Sequence, residues 1–284
     1  LKALWQAGIL PLHNDLTMPI VDFREGKIHF RVEGKGRAIV LLHGFLGSIH
    51  TWDNILPELR KRYKVVLIDL PGHGQSDCFG YIHKMEIMAE AVKAVLDQLQ
   101  LRRYVLMGHS MGGYVSMAFA EKYMDNLRGI IMFHSTAVAD SDAKKSDRDK
   151  AIRVAKKNKE KYLKESLKKL FLPSNLKKYP HLFQKASAIA TATKIQGITA
   201  ALEGMKQRKN TEVVLQFCHC PVMFLTGLHD TIIPLELHQH QFELPRVHKV
   251  LLLEHSAHMG FYEEPEIAVK GLLPFLRVCF GPLD

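Results

Sequence analysis

Short apolar runs recur along this chain at 38–42, 65–69, 104–107, 129–133, 222–226 and 249–253, and none of them shows a polar face. Uninterrupted runs of this length predict strands covered on both sides, as parallel strands are. Between them the apolar positions change period. Met88, Ala91, Val92, Val95 and Leu99 share one face of a helix over about 85–99, and Trp52, Ile55, Leu56 and Leu59 predict another over 51–62. Near the start, 20–23 and 28–32 flank Arg24-Glu25-Gly26-Lys27, which predicts a hairpin at a sheet edge. Strands alternating with helices give an α/β fold: a mostly parallel sheet of about eight strands with helices on both faces.

From about residue 139 the pattern changes, and more than seventy residues pass without a convincing strand. Leu163, Leu167, Leu170 and Phe171 form one helical stripe, and Ile195, Ile198, Leu202 and Met205 form another. We read 139–212 as a helical insertion that divides a core made of 20–138 and 213–284, closed by a helix over about 265–275. Residues 1–19 read as a leader or partner-docking segment. Gln6 interrupts its apolar stretch and no small-residue cleavage pattern follows, which argues against a secretory signal.

At 284 residues and 47% hydrophobic content, the chain can bury one large core that carries an insertion. No apolar run approaches the eighteen or so residues of a membrane span. Cys78, Cys218, Cys220 and Cys279 lack the spacing of a metal site, so the expectation is no metal, reduced thiols and a cytoplasmic location. The net charge of +10 is concentrated: 139–212 hold 19 Lys and Arg against 8 Asp and Glu, which leaves 20 against 21 elsewhere. Such a run is either a solvated helical face or a surface that docks an acidic partner, such as an acyl carrier protein, or steers anionic substrates. No nucleic-acid motif or aromatic interleaving accompanies it.

The chemistry centres on Gly108-His109-Ser110-Met111-Gly112-Gly113, where an apolar run stops and a second, 114–120, begins. Strand, sharp glycine turn and helix make a nucleophile elbow that lifts a serine hydroxyl off the sheet. Composition alone produces such pentapeptides often, so the rest of the chain must supply a base and a group to orient it. In a parallel sheet these come from loops at the carboxyl ends of other strands. One such loop is Gly227-Leu228-His229-Asp230, and another is Glu254-His255-Ser256-Ala257-His258-Met259-Gly260. They suggest the order Ser110, Asp230, His258, with His255 the other histidine of the last loop.

These motifs, with His43-Gly44-Phe45, Asp69-Leu70-Pro71-Gly72-His73-Gly74-Gln75-Ser76 and the Glu263-Glu264-Pro265-Glu266 that follows His258, resemble the α/β-hydrolase superfamily in its capped single-domain form over about 28–277. The resemblance selects His258, seven residues before Pro265, although Ala257 stands where the family usually has glycine. It implies Ser110 as nucleophile, His258 as base and Asp230 as its orienting acid. It places the oxyanion on the backbone N–H groups of Phe45 and Met111, and makes His43 a loop brace and Asp77 a loop cap. The pocket it implies is lined by Leu46, His109, Leu167, Phe171, Ile198, Leu202 and Met259, with Leu163, Ile195 and Met205 either lining it or packing the cap. A serine nucleophile argues against haloalkane dehalogenases and epoxide hydrolases, which need a carboxylate there. The expected activity is cleavage of a small-molecule carboxylic ester through an acyl-enzyme, without cofactor, by a monomer or homodimer. A hydrolase of carrier-linked esters or thioesters, a C–C bond hydrolase, a perhydrolase and a non-hydrolytic ligand receptor of the same fold remain open.

Overall fold

Eight strands form where the apolar runs lie: β1 (Ile20–Phe23), β2 (Gly26–Glu33), β3 (Ala38–Leu42), β4 (Lys64–Ile68), β5 (Tyr104–His109), β6 (Leu127–Phe133), β7 (Val222–Gly227) and β8 (His248–Leu253). The computed structural model describes residues 19–281; residues 1–18, which carry nearly all of the expected leader, lie outside the described residues. The sheet order is β1-β2-β4-β3-β5-β6-β7-β8, with β1, β2 and β4 antiparallel neighbours and the remaining pairs parallel. In register, Leu42 pairs with Gly108, Gly108 with Met132, and Met132 with Phe224. The carboxyl ends of β3, β5, β6 and β7 therefore line up, and the loops that follow them share one edge of the sheet.

Alternation along each strand sends side chains to two cores. Val40, Val66 and Leu106 face one layer, and Ile39, Val65 and Met107 face the other. The helices are α1 (Leu56–Leu59), α2 (Met85–Gln98), α3 (Met111–Tyr123), α4 (Asp142–Lys157), α5 (Lys159–Lys168), α6 (Pro173–Lys178), α7 (Pro180–Ala192), α8 (Ile195–Lys206), α9 (Glu212–Gln216), α10 (Leu235–His238), α11 (Gly260–Glu263) and α12 (Pro265–Phe280). Six of them, α4 to α9, fall between β6 and β7, and of these α4 to α8 lie within 139–212.

Three expectations need correction. The helix over 51–62 is a 3-10 turn at Ile49–Trp52 followed by α1, because Pro57 lacks an N–H and its ring would strike the carbonyl of residue 53 in a continuous helix. The last helix runs on to Phe280 through Pro274, since Leu276 and Cys279 continue its buried face. β8 is the outermost strand and has an open face, with Leu252 42% exposed.

Polar groups pin the loops at this edge of the sheet. Asp69 accepts from His29 Nδ1 at 2.7 Å, Ile49 N at 2.8 Å and Gln75 N at 3.0 Å. His43 donates Nδ1–H to Gly44 O at 2.8 Å and accepts from Leu70 N–H through Nε2 at 3.0 Å, which fixes a neutral tautomer and makes it the expected brace. Asp77 is exposed and ties its loop to β2 by accepting from Lys27 N–H at 2.9 Å. Burial drives His73 down to about 3 and His83 down to about 4. Both folded values lie below the unfolded value near 6.5, so at lower pH the unfolded chain binds protons that the folded chain refuses. Their contribution is intact above pH ~6.5 and falls toward pH ~4 by about 1.4 kcal/mol per pH unit for each. The melting temperature should therefore drop steadily between pH 7 and 4.5, and a flat profile would contradict this placement.

Candidate active site

Ser110 sits between β5 and α3 with φ 49° and ψ −113°, a region side-chain-bearing residues rarely adopt. Such a conformation costs about 1–3 kcal/mol and persists only where neighbours enforce it. Ser110 N–H donates to Phe133 O at 2.9 Å, while its carbonyl accepts from Gly113 N at 2.9 Å and from Ser135 Oγ at 2.8 Å. The turn closes only on glycine: a Cβ at Gly108 would lie 2.2 Å from Gly112 O, and one at Gly112 would lie 2.1 Å from Leu42 O. Met111 opens α3, where the first N–H groups have no intrahelical acceptor and the helix dipole favours negative charge.

Asp230 and His258 are buried and meet at 2.7 Å, Nδ1 to Oδ2. A carboxylate only accepts here, so Nδ1 of His258 carries the proton and its Nε2 keeps the lone pair. The other carboxylate oxygen takes Ile232 N–H at 2.8 Å and Ile233 N–H at 3.0 Å, and His134 Nδ1 stands 3.3 Å from Oδ2. Burial opposes this charge, but His258 and His134 hold the Asp230 carboxyl far below the usual carboxylate range. His109 Nε2–H donates to the His258 carbonyl at 2.9 Å, and burial pushes its imidazole well below the ordinary histidine range. It is a neutral brace for the His258 loop as well as a wall residue. His255 lies outside this cluster and is exposed.

Ser110, His258, Phe45, Leu46, His109 and Met259 border one cavity of about 230 Å³. Its opposite wall comes from the helices between β6 and β7, including Leu167, Leu202, Met205, Ala186 and Ile189. Two expected pocket residues are absent from it. Phe171 lies beyond the end of α5, where the helical spacing from Leu167 no longer applies, and stacks on Tyr262 at 6.3 Å. Ile198 is one turn before Leu202, where α8 presses on the loop after β4; a Cβ at Gly197 would be 2.0 Å from Gly72 O, and Ile198 is fully buried. Leu163 packs in the core, and Ile195 is 38% exposed. Sequence reasoning gave no role to Ser135, Tyr114 or Tyr162 and placed Arg148 only within the basic run; the last three of these reach the cavity.

Glu263 ties the two walls together. Its Oε2 accepts from Ala257 N at 2.9 Å, Ser256 Oγ at 3.1 Å and Met259 N at 3.3 Å. Its Oε1 accepts from Leu172 N at 2.7 Å and Asn175 Nδ2 at 3.0 Å. His258 N–H also donates across the same junction, to Leu170 O at 2.9 Å. One side chain thus holds both neighbours of His258 and the segment joining α5 to α6. Glu263→Ala should destabilise the fold by about 2–4 kcal/mol, since several buried donors lose their partner. Glu263→Gln should recover part of that loss, and equal melting temperatures for the alanine variant and the wild type would refute the assignment.

Residues 37–265 match the family described as alpha/beta hydrolase fold. Among solved structures, a thermophilic esterase from Thermogutta terrifontis, studied with malate bound, aligns with a TM-score of 0.88 at 26% identity, over 93% of this chain and 99% of that one. An uncharacterized protein of Mycobacterium tuberculosis is 33% identical over 129 residues, 44% of this chain and 37% of the relative. A 2-hydroxy-6-oxononadienedioate/2-hydroxy-6-oxononatrienedioate hydrolase of Escherichia coli is 35% identical over 112 residues, 37% of this chain and 39% of the relative. The matched stretch spans little more than a third of these two curated relatives. No helix among the described residues is long and apolar enough to cross a membrane.

Proposed function

The chain belongs to the alpha/beta hydrolase fold family, and within it we propose that it is a serine hydrolase that cleaves carboxylic esters through an acyl-enzyme. The observation that supports this reading is the buried Asp230–His258 pair at 2.7 Å, whose histidine borders the same cavity as a serine held at φ 49°. In this reading Ser110 Oγ attacks the ester carbonyl while Nε2 of His258 takes its proton. The tetrahedral oxyanion is held by the N–H groups of Phe45 and Met111. Collapse breaks the bond to the alcohol oxygen, which receives the proton from His258. Water, deprotonated by the same nitrogen, then attacks the acyl-enzyme, and collapse breaks the bond to Ser110 Oγ, which takes the proton back from His258 as the acid leaves. Asp230 holds the imidazole in the reactive tautomer and stabilises its cation. The helices between β6 and β7 act as a cap that supplies the apolar acyl wall.

A fluorophosphonate probe should label the protein stoichiometrically, with the adduct on the peptide containing Ser110 by mass spectrometry. Short-chain 4-nitrophenyl esters should turn over continuously. Absence of the adduct would sink the proposal, and a single slow turnover would point instead to a ligand receptor on the same fold.

A further inference from the structure

The cavity wall opposite Ser110 is not wholly apolar. Lys144, Asp147, Arg148 and Ala151 reach it from one face of α4, at the i, i+3, i+4, i+7 spacing that puts residues side by side. Arg148 is 11% exposed at its side chain and uses Nε and Nη2 on the Asp140 carboxylate. Its Nη1 meets the Met205 thioether at 3.5 Å, a weak acceptor. The same Asp140 also takes Arg208, whose guanidinium lies 4.0 Å over the Tyr114 ring. One buried carboxylate therefore serves two buried guanidinium groups, and the cluster keeps one positive charge in excess.

Lys144 adds to that excess. It is half-buried, and among the described residues no carboxylate lies within 4 Å of its ammonium; burial first, and Arg148 next, press its pKa down against the opposing pull of Asp140 and Asp147. Asp147, the acid on this face, is exposed and paired with Lys150 at 3.1 Å. The neighbouring lysines behave differently: Lys145 and Lys161, 44% and 66% exposed at the side chain, pair along their own helices with Asp142 and Glu165. Most of the basic run is thus a solvated face, while Lys144 and Arg148 turn inward. An excess of positive charge facing a small, largely apolar cavity is unfavourable unless a ligand supplies an anion. Arg148 Nη1 and the Lys144 ammonium offer donors suited to a carboxylate.

We propose that this wall is a carboxylate-binding subsite and that the substrates are half-esters of dicarboxylic acids, whose acyl chain ends in a free carboxylate held by Lys144 and Arg148. This rests on the esterase reading above. The test compares mono-4-nitrophenyl esters of four- to seven-carbon diacids with 4-nitrophenyl esters of the uncharged monoacids of equal chain length. At the best length kcat/KM should favour the charged ester by about tenfold or more, as a charge-assisted contact predicts. Lys144→Met should lower that preference about fivefold or more, and Arg148→Lys, which keeps the charge on Asp140, should lower it less than Arg148→Met. Calorimetric titration of the free diacids into the wild-type protein gives a readout without turnover, and Lys144→Met should weaken binding by a similar factor. If neither ester is hydrolysed, the esterase reading fails, while the titration still reports on the subsite. Preference for the neutral ester at every length, diacid binding that is absent, or binding unmoved by Lys144→Met would overturn the proposal.

Discussion

Ser110→Ala should lower kcat/KM for a 4-nitrophenyl ester by about 10⁴-fold or more, because the residual rate then comes only from binding and oxyanion stabilisation. The variant should fold normally. The elbow is held through backbone groups, Ser110 N–H to Phe133 O and Ser135 Oγ to the Ser110 carbonyl, and neither needs the hydroxyl. Ser110→Gly goes further, since glycine meets φ 49° without the steric penalty that serine or alanine carries there. It should be as inactive as the alanine variant yet more stable by about 1 kcal/mol, which raises Tm by a few degrees in a chain of this size. Dead and stabilised at once is the signature of strain held for a nucleophile. An alanine variant with a tenth of the wild-type rate would remove Ser110 from the reaction, and a glycine variant that melts lower would remove the strain argument.

Much of this fold is legible in the sequence because strands β3 to β7 are covered on both faces, which leaves apolar runs with no polar interruption. β8 has an equally apolar sequence but sits at the edge, and nothing local distinguishes the two environments. Pro57 was visible, yet the apolar face formed by Trp52, Ile55, Leu56 and Leu59 masked the break it makes. The elbow and the Asp230 and His258 loops could be read because each requires particular residues at fixed offsets after a strand. Glu263 and Ser135 could not be given roles in that way. Their partners, Leu172 for Glu263 and the Ser110 carbonyl for Ser135, lie 91 and 25 residues away and meet them only through the tertiary fold. Lys144 and Lys145 are alike in sequence, and only the docking of α4 against the cavity decides which of them lines it. In the sequence both belong to one undivided basic run, and nothing local says which face of α4 is covered.

Asp230→Asn should cost about 10⁴-fold in kcat at neutral pH, with a much smaller change in KM. The argument is one of donors and acceptors. In the wild-type site Oδ1 takes the N–H groups of Ile232 and Ile233, and Oδ2 faces Nδ1 of both His258 and His134. Asparagine has a single oxygen, and two fixed backbone donors claim it. Its NH₂ group is then left at the Oδ2 position, where it can only donate. His258 must turn its Nδ1 lone pair toward that group and carry the proton on Nε2, the nitrogen that has to accept from Ser110. The base is present but in the wrong tautomer. A stability signature accompanies the kinetic one. The Asp230 carboxyl is held below its unfolded value near 3.8, so it stabilises the fold above that pH and the contribution is lost as pH falls through the acid range. The asparagine variant should lack this part of the acid dependence. A variant with kcat within tenfold of wild type would show that Asp230 does not set the tautomer, and Glu or His at another position would have to be sought for that role.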